Sequence, residues 1–337
     1  MREDSLLSLV AAANAPLTDP DMNRHIGMGA PQFELYHFAL SVCSQKVRVC
    51  LMEKEASFAS HDINLQMPSL GNYDPAYVRL RLQGAGNRPL VGNYSGQSSV
   101  SSEGFDPAVV PTLVDLREQK VYVDSVAICE HIDTSVTSAP ALMPPDLAQM
   151  VRSEMAIVDA TPHVAVLYGA HPDIDFRPER LRQNMPGVHD RKIEKIRLAR
   201  SAAEGDAQLE EAFDAKIEKE AAGRSFVATP DKMRRSVADI VSIVSELDGR
   251  LNTQANPQWI CGDRFSLADV FWAVSLFRLK WLGMAFCWNG AHPLNEQARP
   301  AVADYAARLF DRPSFRDGVI DWPGIARTEY VSEYYTT

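Results

Sequence analysis

Ser41, Cys43 and Ser44 fall within eight consecutive residues, Ser41-Val42-Cys43-Ser44-Gln45-Lys46-Val47-Arg48, and their types suit thiol chemistry. Just before them, Phe33-Glu34-Leu35-Tyr36 alternates apolar and polar side chains as a strand does, whereas Val47, Cys50 and Leu51 recur at helical spacing. The segment therefore predicts a strand, a short turn, and a helix whose first turn carries two hydroxyls and a thiol. Unpaired N–H groups and a partial positive charge at a helix start favour a thiolate, whether the protein's own or a ligand's. The same residues also suit a plain N-cap and a small buried thiol, and that alternative stands on this segment alone.

A second pair, Asp124 and Ser125, opens another helix, with Val126, Ile128, Cys129 and Ile132 as its inner face. They are either caps or the receiver of a charged peptide-like ligand, with Asp124 facing an ammonium and hydroxyl and N–H groups holding a carboxylate. The five cysteines, Cys43, Cys50, Cys129, Cys261 and Cys287, are scattered with no C-x-x-C pair. They read as thiols of a reducing compartment, with no disulfide frame and no metal-ligand constellation.

Two domains suit a chain of 337 residues, and an apolar fraction of 46% with 23% charged residues fits a globular fold. A net charge of −10 argues against a nucleic-acid partner gripped by its phosphates. No apolar run approaches the roughly 18 residues of a membrane span, so no membrane is expected. Leu6 to Ala15 is flanked by Arg2-Glu3-Asp4, which is not net positive, so a local helix or arm is expected there and not an export signal.

The elements that must position these residues follow in order. Residues 1–31 read as an N-terminal extension packed on a domain or a neighbouring subunit. Residues 32–134 read as a domain opening with a βαβ unit, whose second strand spans Ala59 to Leu65. A short helix with Pro75 at its start is followed by a Gly-, Ser- and Asn-rich insertion at 83–105, read as a lid, a partner contact or a disordered loop. Val109 to Val114 is a strand entered through Pro111, where a cis bond would turn the chain, and Lys120 to Val123 is its hairpin partner. Proline-rich residues 135–146 read as a linker, residues 147–322 as all-helical, and 323–337 as an arm. Within the helical part, Leu147 to Ala170 is expected as one helix bent at Pro162, and Arg191 to Ala222 as a helical stretch broken near Gly205. Thr229-Pro230 should start an amphipathic helix, Ser266 and Asp269 a capping box, and Ala301 to Phe310 a late helix.

This order resembles the glutathione transferase fold: an α/β, thioredoxin-like N-terminal domain followed by an all-α C-terminal domain. Ser41-Val42-Cys43-Ser44 resembles the Ser-x-Cys-Ser segment of its glutathione-dependent chlorohydroquinone reductive dehalogenases. Tyr77-Val78-Arg79-Leu80, Val109 to Val114, Tyr168-Gly169-Ala170-His171 and Ser266 to Trp272 continue the likeness in the same order. Val123 to Glu130 is similar, more distantly, to bacterial β-etherases. The resemblance implies that glutathione is the co-substrate, with the Val110 backbone beside a cis Pro111 holding its cysteinyl part and Asp124 and Ser125 its γ-glutamyl end. It implies that Ser41 hydrogen-bonds the glutathione sulfur and that Cys43 is the redox thiol. The basic residue expected near the glycyl carboxylate stays unassigned.

The expected activity is reductive dehalogenation of a halogenated hydroquinone. β-Aryl ether cleavage is the second reading, because it needs only a positioned thiolate. A non-catalytic ligand-binding or assembly subunit is the third. An aromatic pocket is expected from Tyr36, His37, Phe38, Tyr168, His171, Trp272, Arg278 and Trp281, although aromatics at helical spacing are commonly core and a lone histidine is commonly satisfied structurally. The expected state is a cytoplasmic homodimer.

Overall fold

The computed structural model describes residues 5–97, 100–253 and 258–324, the side chains of residues 100 and 101 excepted. Its one sheet has the order β1-β3-β2-β4-β5, built from β1 (Arg24–Ile26), β2 (Phe33–His37), β3 (Phe58–Asp62), β4 (Thr112–Asp115) and β5 (Lys120–Val123). β2 and β3 run parallel, as a βαβ unit requires, while β1, β4 and β5 add antiparallel pairs. β3 ends at Asp62, short of the expected Leu65.

Helices cover both faces. One face buries Phe33, Leu35 and Leu113 beneath α2 (Val42–Glu53) and α5 (Ser125–Ser135). The other buries Tyr36, Val114 and Val123 beneath α1 (Leu6–Asn14) and α3 (Pro75–Leu82). Double coverage explains why β2 is almost wholly buried despite its alternating sequence. The first 31 residues thus contribute α1, whose Leu9, Val10 and Ala13 pack in that core, and β1, a strand that the sequence pattern did not signal.

The insertion carries α4 (Val100–Glu103) and closes on itself through Val91 N–H to the Phe105 carbonyl, 2.9 Å. It is fastened to the helical region where the Gly96 carbonyl accepts from the N–H groups of Val164 (3.1 Å) and Ala165 (2.9 Å).

Beyond residue 146 the described structure is helical, with α6 (Ala148–Asp159), α7 (His163–Tyr168), α8 (Glu179–Asn184), α9 (Val188–Ala202), α10 (Ala207–Val227), α11 (Pro230–Thr253), α12 (Leu267–Trp281), α13 (Phe286–Asn289) and α14 (Pro300–Phe310). Pro162 separates α6 from α7 where a single bent helix was expected, because its ring cannot continue the hydrogen-bond ladder. The break between α9 and α10 falls at Gly205, with φ +91°. The capping box forms at α12: Asp269 Oδ2 accepts from Ser266 N–H (2.9 Å), while Oδ1 takes Ile260 N–H (2.9 Å) and the Tyr305 hydroxyl (2.7 Å). A single turn at Pro313–Phe315 and a π turn at Arg316–Ile320 return to pack on α2. Of the expected arm, only Pro323 and Gly324 lie among the described residues.

Candidate active site

α2 begins at the C-terminal end of β2, and its first turn opens on a cavity of about 960 Å³ lined by both halves of the chain. Ser41 is the N-cap: its extended backbone (φ −75°, ψ 123°) lets Oγ accept the Ser44 N–H at 3.3 Å. Cys43, one residue into the helix and partly exposed, lines the same wall. The Val110–Pro111 bond is cis, as expected, and both residues face the cavity.

Asp124 and Ser125 meet them there at the start of α5. Asp124 sits at φ +80°, a strained conformation for a non-glycine residue of the kind that clusters at functional sites. Its Oδ1 caps the helix by accepting from Val126 N–H (2.8 Å) and Ala127 N–H (3.4 Å), which leaves Oδ2 for a ligand. The capping and ligand-binding roles are therefore compatible. Burial, followed by the nearby Asp159 carboxylate, raises the Asp124 pKa against the pull of its capping bonds and of Lys46.

Lys46 is a residue that sequence reasoning missed. Its ammonium is buried, 2.8 Å from Asp159 and 4.3 Å from the Phe271 ring centroid. Burial works against its charge, but Asp159, Cys43 and Asp124 outweigh it and the Lys46 pKa is raised. A permanent cation thus stands behind both candidate site pairs. His163, also on the cavity, is bonded to Ser275 (2.8 Å); burial, then Lys46 and Arg278, hold its pKa down at about 3.

Of the eight residues expected for an aromatic pocket, Phe38, Tyr168, Arg278 and Trp281 line the cavity. The Arg278 guanidinium bonds to the Leu40 carbonyl and lies 4.6 Å from the Trp281 ring centroid, tying α12 to the turn that carries Ser41.

The other four aromatic candidates lie outside the lining. Tyr36 is buried against α1, its hydroxyl 2.7 Å from Asn14 Oδ1 and its ring stacked on His61. His37 points to the opposite face, bonded to Ser60 (2.7 Å) and Arg48 (3.1 Å), and burial followed by the Arg48 charge keeps its pKa well below the ordinary value. Trp272 is on the core side of α12 and donates to Glu154 at 2.8 Å. His171 accepts from Asp173 N–H at 3.3 Å in a loop off the cavity. Away from the cavity, at the β4–β5 hairpin, Asp115, Glu118 and His131 bring three ligand-type atoms within 4.8 Å of one another, a grouping the sequence did not suggest. There Asp115 is already engaged, by the N–H groups of Arg117 and Glu118 and by His131 at 2.9 Å.

A second polar group faces the cavity where the insertion meets α9 and α10. Three buried or largely buried ammoniums, Lys192, Lys216 and Lys219, interleave with Glu103, Asp106 and Glu220: Lys216–Asp106 is 2.7 Å, Lys219–Glu103 2.7 Å and Lys192–Glu220 3.5 Å. Burial alone would raise the Asp106 carboxyl, but Lys216 and Lys219 overcome it and hold its pKa below the ordinary value.

Comparison with known proteins places the site in a family. Residues 40–135 match the model of the glutathione S-transferase N-terminal domain and residues 199–308 that of the C-terminal domain. A 2,5-dichlorohydroquinone reductive dechlorinase of Sphingobium indicum is 46% identical over 316 residues, covering 93% of this chain and 89% of its own. The chain belongs to the glutathione S-transferase family. A tetrachloro-p-hydroquinone reductive dehalogenase of Sphingobium chlorophenolicum is 23% identical, over 87% of this chain and 99% of its own. Among solved structures, a β-etherase of Sphingobium sp. strain SYK-6 superposes with a TM-score of 0.53 at 15% identity, covering 85% of this chain and 98% of that one, a likeness of fold. Membership accounts for the architecture: a sheet layer carrying the first turn of α2, the cis proline and the start of α5, with a helical layer closing the cavity. Among the described residues, no helix of this glutathione S-transferase is long and apolar enough to cross a membrane.

Proposed function

We propose that the protein is a glutathione-dependent reductive dehalogenase of chlorinated hydroquinones. The observation that carries this reading is Cys43, partly exposed on the cavity wall that also presents Ser41, Val110, Asp124 and Ser125, in a chain 46% identical to a dichlorohydroquinone dechlorinase. Glutathione would lie across that wall, its γ-glutamyl ammonium at Asp124, its γ-glutamyl carboxylate at Ser125 and the start of α5, and its cysteinyl backbone at Val110. Ser41 would donate its hydroxyl proton to the glutathione sulfur.

The chemistry divides into three steps. Glutathione thiolate adds to a chlorine-bearing carbon of the ring in its keto form; a C–S bond forms, the C–Cl bond breaks and chloride leaves. The Cys43 thiolate then attacks the thioether sulfur, forming an S–S bond, while the C–S bond breaks and the ring carbon takes a proton. A second glutathione thiolate displaces Cys43 from the mixed disulfide. In sum, two glutathiones are oxidised to the disulfide, one ring carbon is reduced, and one HCl is released.

Replacement of Cys43 tests this sequence. Cys43→Ser should accumulate the glutathionylated aromatic, detected by mass spectrometry, in place of the dehalogenated product; full reductive turnover by the variant overturns the role of Cys43. β-Aryl ether cleavage would leave Cys43 idle, so the same variant turning over an aryl ether at the wild-type rate favours that reading. Tight glutathione binding with no turnover of either substrate class favours a non-catalytic subunit. We further read the protein as a cytoplasmic homodimer, the compartment in keeping with five cysteines of which none is in a disulfide, and sedimentation equilibrium checks the dimer.

A further inference from the structure

Lys46 and Asp159 form a buried ion pair that the chemistry proposed above leaves without a task. Their side chains are 1% and 12% exposed and meet at 2.8 Å, Lys46 on α2 and Asp159 at the end of α6. Burying an ammonium and a carboxylate costs desolvation that their attraction often fails to offset, so stability alone is a weak reason for such a pair. Lys46 also lies outside the cavity lining, so it does not hold a ligand itself.

Its place on α2 gives it another part. Lys46 follows Cys43 by three residues, and side chains three apart on a helix are neighbours, with Cβ atoms about 5–6 Å apart. Cys43 is partly exposed and lines the cavity, while Cys50, Cys129, Cys261 and Cys287 are buried. The ammonium is fixed on the protein side of that thiol, held by Asp159 and 4.3 Å from the Phe271 ring centroid. Burial opposes the Lys46 charge, whereas Asp159, Cys43 and Asp124 favour it in that order. Opposite charges favour one another's charged form, so the ammonium acts on Cys43 in turn.

The other charges about the pair come from three elements: Asp124 at the start of α5, Arg278 on α12, and His163 on α7, which burial, then Lys46 and Arg278, keep neutral. Farther along α2, Arg48 is taken by the Gly318 carbonyl, Glu53 by Arg312 and Lys54 by Asp133.

We propose that Lys46 and Asp159 are a positioning pair that sets the thiolate character of Cys43, the ammonium stabilising negative charge on its sulfur and the carboxylate limiting how far. The inference rests on the dehalogenase reading for its purpose. A sulfur that must attack a thioether and later leave from a mixed disulfide is best neither strongly basic nor too weak a nucleophile, and a cation restrained by its own anion reaches that balance.

Alkylation of Cys43 by iodoacetamide, followed on its peptide by mass spectrometry across pH, reads the thiolate without any turnover. Lys46→Met should move the midpoint upward by about one pH unit, and Lys46→Arg, which keeps the charge, should return it toward that of wild type. Asp159→Asn should move it downward, an opposite displacement that loosened packing would not produce. An unmoved midpoint in folded Lys46→Met overturns the proposal. Should that variant fail to fold, Asp159→Asn decides: a lowered midpoint supports the pair, and an unmoved or raised one overturns it. If wild type turns over no chlorinated hydroquinone, the functional reading fails, while the alkylation series still decides the role of the pair.

Discussion

The Ser41 hydroxyl accepts from the Ser44 N–H on the cavity wall, so its own proton is left to donate elsewhere, to the glutathione sulfur on the reading proposed above. Ser41→Ala should lower kcat/KM roughly ten- to hundredfold at neutral pH, the range for a charge-assisted hydrogen bond, and move the rising limb of the pH–rate profile upward. Asp124 gives a second test. Its pKa is raised while it lacks a cation in front of it, and an ammonium binds only the ionised form. Glutathione affinity should therefore rise with pH as Asp124 loses its proton above the usual range near 4, and calorimetry on Asp124→Asn should show weaker binding without that dependence. Lys46 could not be singled out in the sequence, where it is one more charge on a helix. Only the fold brings Asp159 to within 2.8 Å of it across the two halves of the chain.

The elements around Ser41 and Asp124 were legible because local rules govern them: alternation for β2, helical spacing for α2, and cap residues for α5 and α12. The aromatic pocket was half legible. Strand alternation and helix periodicity say which residues share a face, not which face meets the cavity, so Tyr36, His37 and Trp272 went to the core while Tyr168 and Trp281 reached the site. α10 held a readable signal that composition masks: Lys216, Glu220 and Gly223 recur in register with the apolar residues Leu209, Ala212 and Phe213 and are buried with them. Lys192 on α9 had no such mark among its neighbouring lysines and arginines. Gly223→Ala probes this element directly. The helix gains propensity, but the added methyl meets His189 and Tyr94, so KM for the aromatic substrate should rise severalfold with KM for glutathione unchanged. Steady-state kinetics with each substrate varied in turn checks it.

Across the whole molecule, the two halves are joined by buried charge as well as by apolar packing. Lys46 reaches Asp159, Arg48 donates to the Gly318 carbonyl (2.7 Å) as well as to the Phe38 and Ala39 carbonyls, and Lys216 reaches Asp106. Asp106 and Glu220 both have pKa values held below the ordinary range in the fold, by ammoniums that overcome burial. Such groups contribute stability that is complete above their unfolded values near 4 and is lost as pH falls from there toward the folded ones. Urea unfolding should show that decline below about pH 4, and Asp106→Asn should flatten part of it. The fastening of the insertion also has a consequence during synthesis. Glu103 and Asp106 emerge from the ribosome more than a hundred residues before Lys216 and Lys219. Until α10 follows, the Glu103 and Asp106 carboxylates lack the two ammoniums they pair with and the cavity lacks the wall that α10 supplies, so a nascent chain can complete its sheet layer well before it holds anything resembling a site. Exchange of the helical half for one without ammoniums at positions 216 and 219 would interrupt the same pairing, which binds the two halves of this chain into one unit.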